Sequence, residues 1–306
     1  MKFTIYQESR LGKRKNNEDR LAHCYSRDAL LLVIADGMGG HYYGEIAAQI
    51  AVQCITESFQ REANSKISDP LSFINRTMIN AHRAIFDFAS AHKLSDSPRT
   101  TCVACVIQDN IAYWAHVGDS RLYIIRGGKV LARTRDHSRV QLMIDHGMIT
   151  PAQALSHPDR NKIYSCLGGL QDPKIELSRK TPLEVGDVMA LCTDGLWGLF
   201  PDEMLAAALV RDNLMKAVPD LMEKAEASGG QNADNFSVIA VRWEDNYIEP
   251  ESHGLSTIHT HTMPLGAFTT RLDQFGSNPK YKTELTDEEI ERAIEEIRSA
   301  IQKYSK

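Results

Sequence analysis

Residues 29–35, ALLLVIA, form an apolar run as long as any in the chain, and the run stops on Asp36 and Gly37. A short apolar run bounded by turn residues reads as a strand covered on both faces. It falls far short of the roughly 20 residues needed to cross a bilayer. The chain therefore builds around a buried sheet and delivers a carboxylate at the end of its most apolar strand. An ionised carboxylate in that position is costly unless something compensates it.

The same arrangement recurs. Further strand-like runs cover 101–107, 112–117, 122–125, 188–192 and 237–241. Asp194 and Gly195 follow VMALC, Asp234 precedes FSVIAV, and Asn17, Glu18 and Asp19 precede LAHCY. Asp119 lies between two strands in HVGDSR. A single Asp-Gly pair is more often a turn or a helix cap than a ligand. Five acidic points at strand ends, with no matching Lys or Arg beside them, change the balance. A divalent cation compensates several carboxylates at once, and an all-oxygen set selects hard ions such as Mg²⁺ or Mn²⁺.

Short turns at 108–110 and 126–129 join neighbouring strands and predict antiparallel hairpins. Helical spacing of apolar residues appears over 44–59 and 71–86, and again over 202–227, where Pro219 predicts a break. The class is α+β, with one-sided helices packed over sheet faces. A chain of 306 residues, 42% hydrophobic and 25% charged with net charge −5, has ample core and no basic block for nucleic acid or an anionic membrane. The start, MKFTIYQESR, lacks the pattern of a signal peptide, so a cytoplasmic protein is expected. Cys102 and Cys105 form a CxxC inside a strand, where the odd offset sends the thiols to opposite faces. Buried free cysteines are expected there, not a zinc site.

Seven blocks carry a resemblance in a fixed order: GKRKNNEDR (12–20), ADGMGGHYYGEIA (35–47), TTCVACVI (100–107), HVGDSRLYIIRGGK (116–129), TRDHSRV (134–140), LEVGDVMALCTDGLW (183–197) and ADNFSVIAV (233–241). The ordered set resembles the type 2C, metal-dependent serine/threonine protein phosphatases in their bacterial form. The resemblance implies a four-layer α-β-β-α sandwich of two antiparallel sheets flanked by helices, with the metal centre at one end between the sheets. It implies that Asp36 bridges two Mn²⁺ or Mg²⁺ ions with the Gly37 carbonyl close to one of them. Asp194 and Asp234 would hold the first ion, and Glu18 or Asp19 the second. Asp119 would help hold a third, weaker ion, and Arg14 would bind phosphate. The implied activity is hydrolysis of phosphoserine and phosphothreonine on proteins by a metal-activated water, reversing a Ser/Thr kinase. Arg14, Asp36 and Asp194 would be its catalytic residues.

Many eukaryotic members carry a His after the Asp-Gly pair; this chain has Met38 there, with His41 nearby, and the general acid stays unassigned. A flap of variable selectivity is implied over about 135–183, within which Asp136, His137 and Ser138 read as structural. A phosphoprotein-binding module without catalysis is the rival reading, against which the intact Asp36, Asp194, Asp234 and Arg14 argue. The resemblance covers residues 1–243. Beyond it, 244–284 reads as a linker or extended arm, and 285–306 as an amphipathic helix. In that segment Thr286 and Glu289 form a capping box, and Ile290, Ala293, Ile294, Ile297 and Ile301 share one stripe. Such a C-terminal helix can dock on its own domain, on another copy or on a partner, and periodicity does not choose.

Overall fold

The computed structural model describes residues 1–38, 43–154, 156–245 and 269–272. Three strands open the chain: β1 (Phe3–Arg10), β2 (Asp19–Tyr25) and β3 (Ala29–Met38). Two long helices follow, α1 (Tyr43–Glu62) and α2 (Pro70–Ala91). Five strands come next, β4 (Arg99–Thr100), β5 (Cys102–Gln108), β6 (Ile111–Val117), β7 (Arg121–Arg126) and β8 (Lys129–Arg133), with β5–β6 and β7–β8 each an antiparallel hairpin. The next stretch holds only short pieces: α3 (Arg139–Asp145), α4 (Pro151–Ala154), β9 (Glu176–Leu177) and β10 (Thr181–Pro182). Then come β11 (Val188–Cys192), α5 (Asp194–Trp197), α6 (Asp202–Arg211), α7 (Leu214–Ser228), β12 (Phe236–Trp243) and β13 (Thr269–Leu272).

Among the described residues the strands form two antiparallel sheets. One has the order β1-β12-β11-β7-β8, the other β10-β6-β5-β3-β2-β13. β3 explains why its sequence has no polar face. Leu30, Leu32 and Ile34 pack between the sheets against Leu122, Ile124, Leu191, Ile239 and Val241. Leu31, Val33 and Ala35 point the other way, under Ile50, Ile55, Ile74 and Met78 of α1 and α2. Each large side chain buried this way contributes about 1.5–3 kcal/mol. On the far side of the other sheet, Leu205, Leu209, Val218 and Leu221 of α6 and α7 cover Tyr123, Ile125, Ala190 and Val238. Helix, sheet, sheet, helix: the four layers are those the resemblance implied. Cys102 faces the helices and Cys105 the other sheet, and both are free thiols.

One local expectation needs correction, and one strand had no expectation. The helical region 202–227 breaks at Asp212, which is extended, and Asn213 restarts it by accepting the Met215 amide at 3.0 Å. Pro219 sits inside α7, where it forgoes a single backbone bond to the Met215 carbonyl. β1 was not anticipated, because its inward row runs Phe3, Ile5, Gln7, Ser9 and turns polar halfway. Gln7 meets His23 of β2 at 2.6 Å across the two sheets, and Ser9 meets Ser237 of the adjoining β12 at 2.7 Å within one sheet, so the polar half of the row is given to hydrogen bonds.

Within the expected arm, Thr269–Leu272 run as a strand antiparallel to β2, Thr269 opposite Tyr25 and Leu272 opposite Ala22. The expected helix over 285–306 lies outside the described residues. No described helix is long and apolar enough to cross a membrane.

Candidate active site

The two sheets release their acidic residues at the same end. On one, Asp36 continues the row of Leu30, Leu32 and Ile34, and the β2–β3 register puts Asp19 directly opposite it. On the other, Asp194 opens α5 immediately after β11, and Asp234 lies two residues before β12. Asp119 sits in the connection from β6 to β7. Asp36, Asp119, Asp194 and Asp234 line one open cleft of about 660 Å³, together with Arg14, Glu18 and Gly37. Asp19 lies beneath its floor, 3% exposed.

The backbone is tightly fixed here. Asp36 donates its amide to Thr101 Oγ1 at 3.0 Å, and its carbonyl accepts from the Thr101 amide at 2.8 Å and Thr100 Oγ1 at 2.9 Å. A Cβ at Gly37 would stand 2.2 Å from the Gly44 carbonyl oxygen, and one at Gly195 would stand 1.9 Å from that of Asn235. Only glycine permits these approaches. Asn235 staples the loop that carries Arg14 and Glu18: its amide nitrogen donates to the Leu11 and Asn16 carbonyls, and its oxygen accepts the Glu18 amide at 2.9 Å.

Charge is poorly balanced. Arg14, exposed at the rim, donates to Asp234 Oδ2 at 2.7 Å. Asp19, Asp36, Asp119 and Asp194 pair with no cation among the described residues. Asp19 Oδ2 accepts from Thr193 Oγ1 at 2.9 Å and Ser237 Oγ at 2.7 Å, while its Oδ1 is buried without a partner. Desolvation, followed by the charges of Asp19, Asp194, Asp119 and Asp234, raises the Asp36 carboxyl well above the usual range. Desolvation and then Asp194 do the same to Asp119. Burial pushes Asp19 up to about 7 against the pull of Ser237 and Thr193. Glu18 also rises to about 7, by burial and then Glu45, and Asp194 to about 6, by burial and then Asp234.

Such a cluster retains protons at neutral pH unless cations replace them. All-oxygen donors, an orphaned carboxylate oxygen and unmatched negative charge fit hard divalent ions.

Residues 6–231 match the family model described as protein phosphatase 2C. The chain belongs to the protein phosphatase 2C family. Among its relatives, the serine/threonine protein phosphatase PstP of Mycobacterium tuberculosis is 33% identical over 227 residues, 74% of this chain and 42% of that protein. Protein phosphatase PhpP of Streptococcus pneumoniae is 30% identical over 249 residues, 78% of this chain and 96% of PhpP. A crystal structure of the PstP catalytic domain in complex with two manganese ions superposes with a TM-score of 0.68 at 29% identity. The match covers 79% of this chain and 99% of that one.

Against the protein phosphatase 2C motifs, the structure brings Arg14, Glu18, Asp36, Gly37, Asp119, Asp194 and Asp234 to one cleft, with Asp19 under its floor. Met38 lines the cleft too, and His41 lies outside the described residues. Asp136 is taken up by Arg121, which forks onto both its oxygens at 2.8 and 2.7 Å, and Ser138 caps α3.

His116, His137 and Glu176 bring their ligand atoms within 4.8 Å of one another. Three of the four ring nitrogens have hydrogen-bond partners in the protein, and His116 Nδ1 is buried without one. His116 Nε2 faces the Arg135 carbonyl at 2.7 Å and so carries its proton. His137 Nδ1 accepts the Gly118 amide at 3.2 Å, leaving the other proton on Nε2 beside Glu176 at 3.4 Å. The pair ties the flap's first residues to β9.

Thr101, Thr193, Asn235 and Ser237 received no role from the sequence. Three of them adjoin motif aspartates or their strand, which was the available signal.

Proposed function

We propose that this protein, acting in the cytoplasm, hydrolyses phosphoserine and phosphothreonine on proteins, reversing the action of a Ser/Thr kinase. One observation carries the reading: carboxylates from both sheets gather at one cleft, with Asp19 Oδ1 buried and unpartnered and four of the aspartates pairing with no cation among the described residues. In this reading Asp36 bridges two Mn²⁺ or Mg²⁺ ions, with the Gly37 carbonyl near one. Asp194 and Asp234 hold the first ion, and Asp19, with Glu18 beside it, serves the second. Asp119 contributes to a weaker third.

Two such ions, when bound, make a water acidic enough to attack phosphorus near neutral pH. The chain supplies the rest. Arg14 stands at the rim with a planar fork suited to two phosphoryl oxygens, and it donates to Asp234, which lines the same cleft. Thr101 holds the Asp36 peptide, and Thr193 and Ser237 aim the Asp19 carboxylate, so little reorganisation accompanies charge development. The one-turn helix α5 presents Asp194 in its first turn, where the Gly195 amide favours the ionised form against the larger opposing effect of burial.

The test compares release of phosphate from a phosphoserine and phosphothreonine peptide panel, and from p-nitrophenyl phosphate, with Mn²⁺ and with EDTA. Mn²⁺-dependent turnover of the peptides is expected. Tight phosphopeptide binding without turnover would favour the binding module, and turnover of small phosphate esters alone would reassign the substrate.

A further inference from the structure

Trp197 shares a helix with one candidate ligand and hydrogen-bonds the main chain of another. It closes the four-residue helix that Asp194 opens, so the two residues share a single turn. Its Nε1–H donates to the main-chain carbonyl of Asp119 at 2.9 Å. The Arg121 guanidinium lies 3.4 Å from the centre of the indole, and Arg121 is itself held by Asp136, the Tyr123 hydroxyl and Asp202. The ring therefore has little freedom to turn.

The neighbours of Asp119 are anchored by other groups. Gly118 exchanges hydrogen bonds with His137, its amide to Nδ1 at 3.2 Å and its carbonyl from the His137 amide at 2.8 Å. Ser120 Oγ meets Thr101 Oγ1 at 2.7 Å. The Asp119 carbonyl is what remains, and a rotation of that peptide would swing the carboxylate out of the cleft.

We propose that Trp197 is a positioning residue that ties the Asp119 loop to the turn bearing Asp194, so that the two carboxylates, contributed by different connections, keep one spacing for the ions they hold. The proposal rests on the reading of Asp119 and Asp194 as ligands. Trp197→Phe keeps a ring beneath Arg121 and deletes the single N–H.

The experiment is a calorimetric titration of the full chain with Mn²⁺. Trp197→Phe should weaken the weakest binding step by about tenfold, the lower range for losing a group that orients a ligand, and leave the tightest step within about twofold. In an Asp119→Ala background the same substitution should have no further effect. In the wild-type chain, indole emission should change at the weak step, and the change should be absent from Trp197→Phe but present in Trp114→Phe. An unchanged titration for Trp197→Phe, or an equal loss in the Asp119→Ala background, overturns the positioning role. Wild-type protein that takes up no Mn²⁺ overturns the metal reading and this proposal with it.

Discussion

Asp136 and Asp19 are buried to almost the same degree, 5% and 3% exposed, and the fold treats them in opposite ways. Asp136 receives both arms of Arg121, a bidentate pair built permanently into the protein. Asp187 is handled alike, with Arg126 at 2.9 and 2.8 Å and the Glu184 amide at 2.8 Å. Asp19 receives two hydroxyls on one oxygen and nothing on the other. A chain able to satisfy buried acids with guanidinium groups leaves one set without them, and that set occupies a solvent-reachable cleft. The first kind of acid is part of the scaffold, whereas the second, on the proposed reading, is compensated by charge brought from outside.

The contrast can be broken most severely at Asp36. Asp36→Asn should cut turnover by ~10³-fold or more, the several kcal/mol that metal charge stabilisation supplies. In EDTA the same variant should melt above the wild type, since it removes one of several repelling carboxyls. Near-normal turnover would refute its place at the ions, and a lower melting point in EDTA would refute the charge argument.

Arg121→Met tests the other side of the comparison. It leaves Asp136 buried and unpaired, and should cost about 3–5 kcal/mol in chemical denaturation. A loss near zero would mean that Asp136 is not held as a matched pair.

The smallest expected effect is with pH. Asp19 and Glu18, raised to about 7, and Asp194, raised to about 6, are protonated more readily in the folded chain than in the unfolded one. Their contribution to metal-free stability is therefore fully present below about pH 4 and lost as pH rises through 6 to 7. EDTA-treated protein should lose several degrees of Tm between pH 5 and 8. Saturating Mn²⁺ should shrink that loss, because ions bind the ionised forms. Equal slopes with and without Mn²⁺ would break the link between these protons and the ions.

The core and the cleft differed in how far the sequence disclosed them. β3 could be read directly, since covering both faces leaves a solid apolar word that ends on Asp36. The ordered motifs carried most of the other carboxylates. What stayed hidden depends on distant partners. Thr193 and Ser237 reach Asp19 from 174 and 218 residues away, and no local pattern marks a hydroxyl for that role. The motif favours Asp19 over Glu18 without separating them; in the fold Asp19 faces Asp36 across the β2–β3 register and Glu18 lies at the cleft wall. Pro219 misled because a proline early in a helix removes little, while the extended Asp212 and the cap at Asn213 decided the boundary.

Gly195 has a bearing on how such a protein could diverge. With the Asn235 carbonyl oxygen only 1.9 Å from where a methyl would stand, even alanine would prise the Asp194 turn away from the start of β12. The floor of the cleft is thus closed to gradual change. Descendants that acquire new preferences must do so at the exposed edge, through Lys13, Lys15, Asn161 and Ile163, where side chains can be exchanged without disturbing the backbone below.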